Sequence, residues 1–232
     1  MKTPSCFLLA IAGAIFTGTP ERAFAGAVTE STAYNPNLLI PDGSIVGVAD
    51  TRIFTSQISE ITNVRVSLSV TGTPSAGDAF NGDFYAYLTH GSGFSVLLNR
   101  VGRTASDPFG YGDSGFAVTF DDTLPGADIH NYQLTANPAG GILTGIWHTD
   151  GRNINPQFAL DTTPRNAFLT TFSGLEANGA WTLFVADTAP LGTARLASWK
   201  LEITGNVIPE PTSGLFGLSI FAMLLARRRP GK

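Results

Sequence analysis

Aspartates at the ends of apolar runs are the residues of this chain best suited to chemistry. Asp83 precedes one run, Asp187 closes another, and Asp121 and Asp122 follow a third. Calcium takes about six to eight oxygen ligands, and loops between strands supply both carboxylates and backbone carbonyls. The pattern therefore predicts calcium binding by Asp83, Asp121, Asp122 and Asp187, although no EF-hand spacing is present. The alternative is that these aspartates form turns and solvate strand ends, as aspartate commonly does.

A second pattern, the tetrapeptide Gly112-Asp113-Ser114-Gly115, matches the nucleophile loop of trypsin-like serine proteases. A serine nucleophile needs a histidine base and a carboxylate that orients the base. The sequence around His90 does not match that family's histidine motif, and His130 and His148 lie in loop-like sequence without a third ligand at zinc spacing. We therefore predict a glycine-rich turn at Ser114, no catalytic residue in the chain and hence no enzyme activity.

The tryptophans divide into two kinds. Trp181 and Trp199 alternate with polar neighbours, which predicts burial in a β-sheet core. Trp147 lies beside His148 and Asp150 in a glycine-rich stretch, and an exposed ring there could stack against a sugar. The alternative is that Trp147 closes one end of the core.

The elements that must position these residues are β-strands. Period-two alternation of apolar and polar residues marks 64–70 and 199–204, and further β-rich runs occupy 84–88, 95–98, 116–120 and 181–185. Gly, Pro, Asp and Asn separate them, as at Leu124-Pro125-Gly126 and Asn178-Gly179. Many short strands with such turns predict an all-β sandwich or jelly roll, with long loops around a few strands between Asp128 and Thr163.

The N-terminus predicts export. Lys2, the apolar run Phe7–Phe16 and the small residues Ala23 and Ala25 fit a secretory signal peptide cleaved before Gly26. Cleavage removes Cys6, the single cysteine of the chain, so disulfides cannot hold the exported domain together.

The exported part is acidic. The chain has 14 Lys and Arg, of which six lie outside residues 26–208, and 18 Asp and Glu, of which two lie outside this range. Residues 26–208 therefore contain 8 basic and 16 acidic residues, a formal net charge of −8. A surface with that bias repels nucleic acid and anionic lipid, so no nucleic-acid partner is expected.

The C-terminus combines three sorting features. Pro209-Glu210-Pro211 is stiff and extended, the run Leu215–Ala226 is apolar, and Arg227-Arg228-Arg229 form a basic stop that resists transfer through the membrane. In this order the features resemble a PEP-CTERM tail. The resemblance implies an exosortase-type processing enzyme as partner, a transient membrane anchor in the form of a C-terminal apolar helix at about 215–226, and a final location at the cell surface or outside the cell.

The remaining sequence resembles the P domain (P/Homo B domain) of proprotein convertases and bacterial subtilisin-like proteases. The blocks that carry this resemblance are Gly82–Leu88, Phe172–Asp187 and Ala197–Leu201, in that order. The resemblance implies a galactose-binding-like jelly-roll β-sandwich beside a catalytic domain that this chain has no room for. Because several P domains carry calcium, it also favours the aspartate site. The resulting division is 1–25 signal peptide, 26–37 leader, 38–205 sandwich and 206–232 sorting segment.

These patterns predict a non-catalytic, surface-sorted module that acts in adhesion, stabilisation or partner binding, with or without calcium. One alternative is an accessory domain that supports a subtilisin-like protease supplied as a separate chain. Another is a carbohydrate-binding module for a surface polysaccharide, with Trp147 as the stacking residue.

Overall fold

The computed structural model describes residues 25–73 and 79–207, which form two packed β-sheets. The strands are β1 (Ala25–Tyr34), β2 (Leu38–Ile40), β3 (Ser44–Phe54), β4 (Ile58–Gly72), β5 (Phe84–His90), β6 (Gly93–Asn99), β7 (Phe116–Phe120), β8 (Leu143–Trp147), β9 (Gly179–Asp187) and β10 (Ala194–Val207). Short 3-10 helices at Asn81–Asp83, Ile129–Leu134, Pro156–Phe158 and Leu169–Phe172 lie in the connections. The all-β sandwich prediction is confirmed.

The larger sheet has the strand order β1-β10-β4-β7-β8, and β2 also pairs with β10. Its pairs are antiparallel except β7 with β8, which run parallel. In the central pair, Leu68 faces Trp199 and Val66 faces Leu201. Alternate residues of β4 and β10 are buried, as the period-two pattern predicts. Burying each aliphatic side chain of this size contributes about 1.5–3 kcal/mol, so this pair anchors the core.

The smaller sheet has the order β3-β9-β5-β6 and is antiparallel throughout. Its inner face buries Phe84 on β5 and Trp181 on β9, so both Trp181 and Trp199 lie in the core as predicted. Its outer face carries half-buried aromatic rings, among which Tyr87 stacks on Phe184 with ring centroids 4.7 Å apart. The outer edge of β6 is covered by the loop that follows β8, because Gly151 N donates a hydrogen bond to Val96 O at 2.9 Å.

The segment 26–37 contributes a strand to the larger sheet. Within it, residues 28–34 pair residue by residue with β10 from Gly205 to Trp199, and Tyr34 packs on Trp199 with centroids 4.7 Å apart. What the sequence marks as a leader therefore covers one edge of β10.

The two sorting segments lie outside the described residues. Ala23, Pro209, Glu210, Pro211, Arg227, Arg228 and Arg229 belong to them, whereas Ala25 opens β1 opposite Val207. Among the residues from 25 to 73 and 79 to 207, none forms a helix long and apolar enough to cross a membrane.

Candidate functional site

The Gly-Asp-Ser-Gly loop is part of the framework. Ser114 is buried, its amide donates to Gly141 O at 3.0 Å, and its hydroxyl accepts from Ala79 N at 3.4 Å. The Asp113 carboxylate accepts hydrogen bonds from Tyr132 Oη at 2.7 Å and Gly140 N at 2.7 Å. These bonds tie the loop to segments that lie far from it along the chain.

The histidines are engaged by groups other than a serine hydroxyl. The His90 ring stacks on Trp181 at 4.0 Å, with Nδ1 2.9 Å from Ala180 O and Nε2 2.7 Å from Glu176 O. His148 Nε2 lies 2.7 Å from Leu124 O. Both imidazole rings therefore form hydrogen bonds with backbone carbonyl groups of the fold.

His130 belongs to a buried ionic network that the sequence did not reveal. Its Nδ1 lies 2.8 Å from Asp150 Oδ2, and Arg152 Nη1 lies 3.2 Å from Asp150 Oδ1. Arg152 also pairs with Asp128 at 2.9 Å, and its guanidinium is almost fully buried. Because a buried ion needs partners on every side, this network fixes the long loop that follows β8. The one sequence signal for it was a basic and an acidic residue around Gly151 in a stretch without periodicity.

The four aspartates predicted to bind calcium lie in two different environments. Asp121 is buried with Arg65 Nε 2.9 Å from its Oδ2. Asp122 accepts hydrogen bonds from Thr149 N at 2.8 Å and Leu169 N at 2.7 Å. Both carboxylates therefore already hold partners within the fold, and these partners lie far along the chain, so the bonds join distant segments. Residues 25–73 and 79–207 contain no group of three or more His, Cys, Asp or Glu arranged to hold a metal ion. The described residues therefore do not fit a single calcium site made of the four aspartates.

Asp83 and Asp187, in contrast, lie beside each other. Asp187 pairs with Phe84, the neighbour of Asp83, and the two side chains are buried, with exposed fractions of 8% for Asp83 and 2% for Asp187. Burial raises the pKa of Asp83 to about 6, against the opposing effect of Arg100. Burial and then the charge of Asp83 raise the pKa of Asp187 to about 7.

The positive charge of Arg100 compensates the charge of this aspartate pair only in part. Arg100 Nη2 lies 3.8 Å from Asp83 Oδ1, a long distance for an ion pair, while the charge of Asp42 raises the pKa of both carboxyls further. Asp83 and Asp187 thus share the guanidinium of Arg100, on which Arg103 also acts, and Asp42 adds a further negative charge near the two carboxyls.

Asp83 also lines a cavity of about 260 Å³ between the loop after β6 and the loop after β9. We call this cavity the Asp83 pocket; its lining residues are Phe80, Asp83, Phe109, Gly110, Tyr111, Gly112, Ala189, Pro190 and Leu191. Asp107 Oδ1 accepts from Phe109 N at 3.1 Å and so shapes one wall. Gly82 allows the close approach of that wall, because a Cβ at this position would lie 2.3 Å from Phe109 O.

Sequence patterns did not reveal this pocket. Its apolar side chains lie in turn-rich segments where period-two alternation gives no signal. The available clue was the aromatic pair Phe109 and Tyr111, placed among Pro, Gly and Asp where exposed loop residues are expected.

Trp147 does not offer a face for stacking. The ring is 6% exposed, its Nε1 donates to Thr144 O at 2.9 Å, and Tyr132 packs edge-on at 6.1 Å. Of the two interpretations of Trp147, its burial favours the tryptophan that closes the core, here beside β8, over the stacking residue.

Comparison with known proteins identifies one family segment. The model of the proprotein convertase P-domain matches residues 148–203, from the loop after β8 through β9 into β10. No curated protein matches this chain. Among solved structures, a chain of the complex between Aeromonas sobria serine protease and its chaperone is 15% identical, with a TM-score of 0.43, over 80% of this chain and 28% of that chain. The protein is thus an all-β sandwich in which residues 148–203 are similar to the P domain of proprotein convertases.

Proposed function

We propose that this protein is an exported, non-catalytic accessory module that binds a subtilisin-like protease supplied as a separate chain and supports its folding or stability. The observation that carries the proposal is the P-domain match over residues 148–203. The matched segment contains β9, most of β10 and the Asp150–Arg152 part of the ionic network, so the similarity lies in the framework of the sandwich.

The chemistry of the described residues supports a binding role. Ser114, His90 and His130 all bond within the framework. The Asp83 pocket instead presents apolar side chains to solvent, with Phe109 75% and Leu191 76% exposed. Exposed apolar groups of this size are typical of interaction surfaces.

Export to the cell surface is part of the proposal. It is supported by the signal-peptide pattern from Lys2 to Ala25 and by the tail from Pro209 to Lys232. An exosortase-type enzyme is the proposed processing partner of that tail.

Refolding of a protease tests the proposal. A bacterial subtilisin-like catalytic domain without a P domain of its own is refolded with and without an equimolar amount of this protein. We expect a higher yield of active protease with the protein, and no gain with an unrelated β-sandwich at the same concentration. An unchanged yield would contradict the proposal, as would peptide hydrolysis by this protein alone that Ser114→Ala abolishes.

A second candidate function is polysaccharide binding, favoured by the aromatic rings on the outer face of the smaller sheet. Tyr85, Tyr87 and Phe184 form a contiguous group, with Phe94 5.2 Å from Tyr87. Aromatic faces of this kind stack against sugar rings, although cross-strand pairs also stabilise sheets. Retention in gels containing a neutral polysaccharide tests this candidate: Tyr87→Ala should lose retention and Phe109→Ala should keep it. Equal mobility with and without polysaccharide would reject it.

A further inference from the structure

The Asp83 pocket combines apolar walls with an acidic side chain. Phe80, Phe109 and Leu191 contribute exposed apolar surface, and Tyr111 adds a half-buried ring. Leu191 has a φ of 85°, a left-handed conformation that leucine rarely adopts. A large apolar residue is thus held in an unfavourable backbone conformation at the mouth of the pocket.

The cation that faces the acidic side of the pocket is Arg100, on which Arg103 also acts, and its contact with Asp83 is long. Asp83 and Asp187 adjoin each other, Asp42 adds a third negative charge, and Arg100 approaches no closer than 3.8 Å to Asp83. Arg100 is itself committed elsewhere, since its Nη1 lies 3.3 Å from Thr188 Oγ1 and its Nη2 lies 3.3 Å from Pro108 O. A second cation at this position would therefore be attracted by Asp83, whose charge the fold compensates only in part.

We propose that the Asp83 pocket receives one arginine or lysine side chain of a partner polypeptide. The methylene stem would pack against Phe109 and Leu191, and the charged head would face Asp83. Long basic side chains suit this arrangement because they bury an apolar stem while the cation finds a polar partner. Aromatic rings beside the cation add further attraction. This inference rests on the proposed function, for which it names the contact that the partner makes.

Size and chemistry argue against other occupants. A volume of about 260 Å³ is large enough for one long side chain. A phosphate or carboxylate ligand would meet the charge of Asp83. Calcium prefers oxygen ligands on every side, whereas the walls at Phe80, Phe109 and Leu191 offer carbon.

Calorimetric titration of the full chain tests the inference. The probe is the pentapeptide acetyl-Ala-Leu-Arg-Leu-Ala-amide, and its matched control carries citrulline, a neutral analogue of arginine. At about pH 8 we expect the arginine peptide to bind at least about tenfold more tightly, a difference of about 1.4 kcal/mol. The difference should shrink at high salt, which screens the attraction between the two charges.

Two variants separate the contributions of charge and apolar surface. Asp83→Asn should abolish the preference for arginine over citrulline. Leu191→Gly should weaken both peptides yet leave the melting temperature unchanged or higher, because glycine favours a positive φ. Glu176→Gln, an exposed acidic residue outside the pocket, is the control and should bind as wild type does.

Equal affinity of the two peptides for the folded wild-type protein, or no binding of either, would overturn the inference. So would a preference for arginine that persists in Asp83→Asn. The peptide titration does not involve a protease, so the two proposals can fail separately. If the peptide binds but the refolding assay fails, the protease partner is rejected and the binding role of the Asp83 pocket stands. If the refolding assay succeeds but the arginine peptide does not bind, only the inference about the pocket is rejected.

Discussion

Carboxylates of this protein differ in how fully the fold compensates their charge. Asp122 accepts two backbone N–H groups, and Asp121 has an arginine within 2.9 Å. Asp83 and Asp187 share a single guanidinium at a longer distance, and burial raises the pKa of both. Ionisation of Asp83 and Asp187 therefore opposes the native state.

Asp187→Asn should raise stability above neutral pH. A buried carboxyl whose pKa is raised binds its proton more tightly in the folded state, so its contribution to stability falls as pH rises from about 4 through the folded pKa of about 7. A neutral amide removes that loss, so we expect the free energy of unfolding to rise by about 1–3 kcal/mol at about pH 8 and to change little at about pH 4. Urea unfolding at both pH values measures it. Asp161→Asn, on the surface, should change neither value, and a loss of stability in Asp187→Asn at the higher pH would refute the assignment.

Asp122→Ala should have the opposite effect. It leaves the amides of Thr149 and Leu169 without their acceptor, at a cost of about 1–3 kcal/mol for each amide that stays buried. The loss should be the same in EDTA and in millimolar calcium, because it arises from hydrogen bonds within the protein. A loss that appears only with calcium present would instead favour the metal prediction for Asp122.

Strands were predictable where one face is buried and the other solvated. β4 shows this pattern from Val64 to Val70 and β10 from Trp199 to Gly205. β3 was not recognised because its register shifts between Ser44 and Val48, and its edge position leaves Ile45 and Val46 exposed. β8 was hidden by three exposed central residues between buried ends.

Contacts between distant loops explain why the site was only partly predictable. Asp83 and Asp187 could be identified because each borders a strand. Their proximity depends on the pairing of β5 with β9, and the walls of the pocket depend on Phe109 and Leu191 in separate loops. Neither contact follows from local sequence.

The irregularity in β3 has a testable consequence. Gly47 has a φ of 54°, and a Cβ there would lie 2.5 Å from Val185 O on the neighbouring strand. Gly47→Ala therefore combines backbone strain with a backbone clash, and we expect a loss of more than about 2 kcal/mol. Gly112→Ala is the matched control, since a Cβ at Gly112 meets nothing within 4 Å. Equal melting temperatures for the two variants would contradict the described path of β3.

At the scale of the whole molecule, the segment that is similar to the P domain contributes strands to both sheets of the sandwich. Residues 148–203 supply central strands of both sheets, and β1 covers an edge of β10. Under the proposed function, the negative charge of this domain and the Asp83 pocket would favour a partner of complementary charge.

Direct association with a protease tests that account most directly. Sedimentation velocity is measured for the full chain mixed with a subtilisin-like catalytic domain that lacks a P domain. The account predicts a complex that sediments faster than either component, and that weakens at high salt because charge complementarity contributes. Two components that sediment independently at low salt, at concentrations where both are folded, would contradict it.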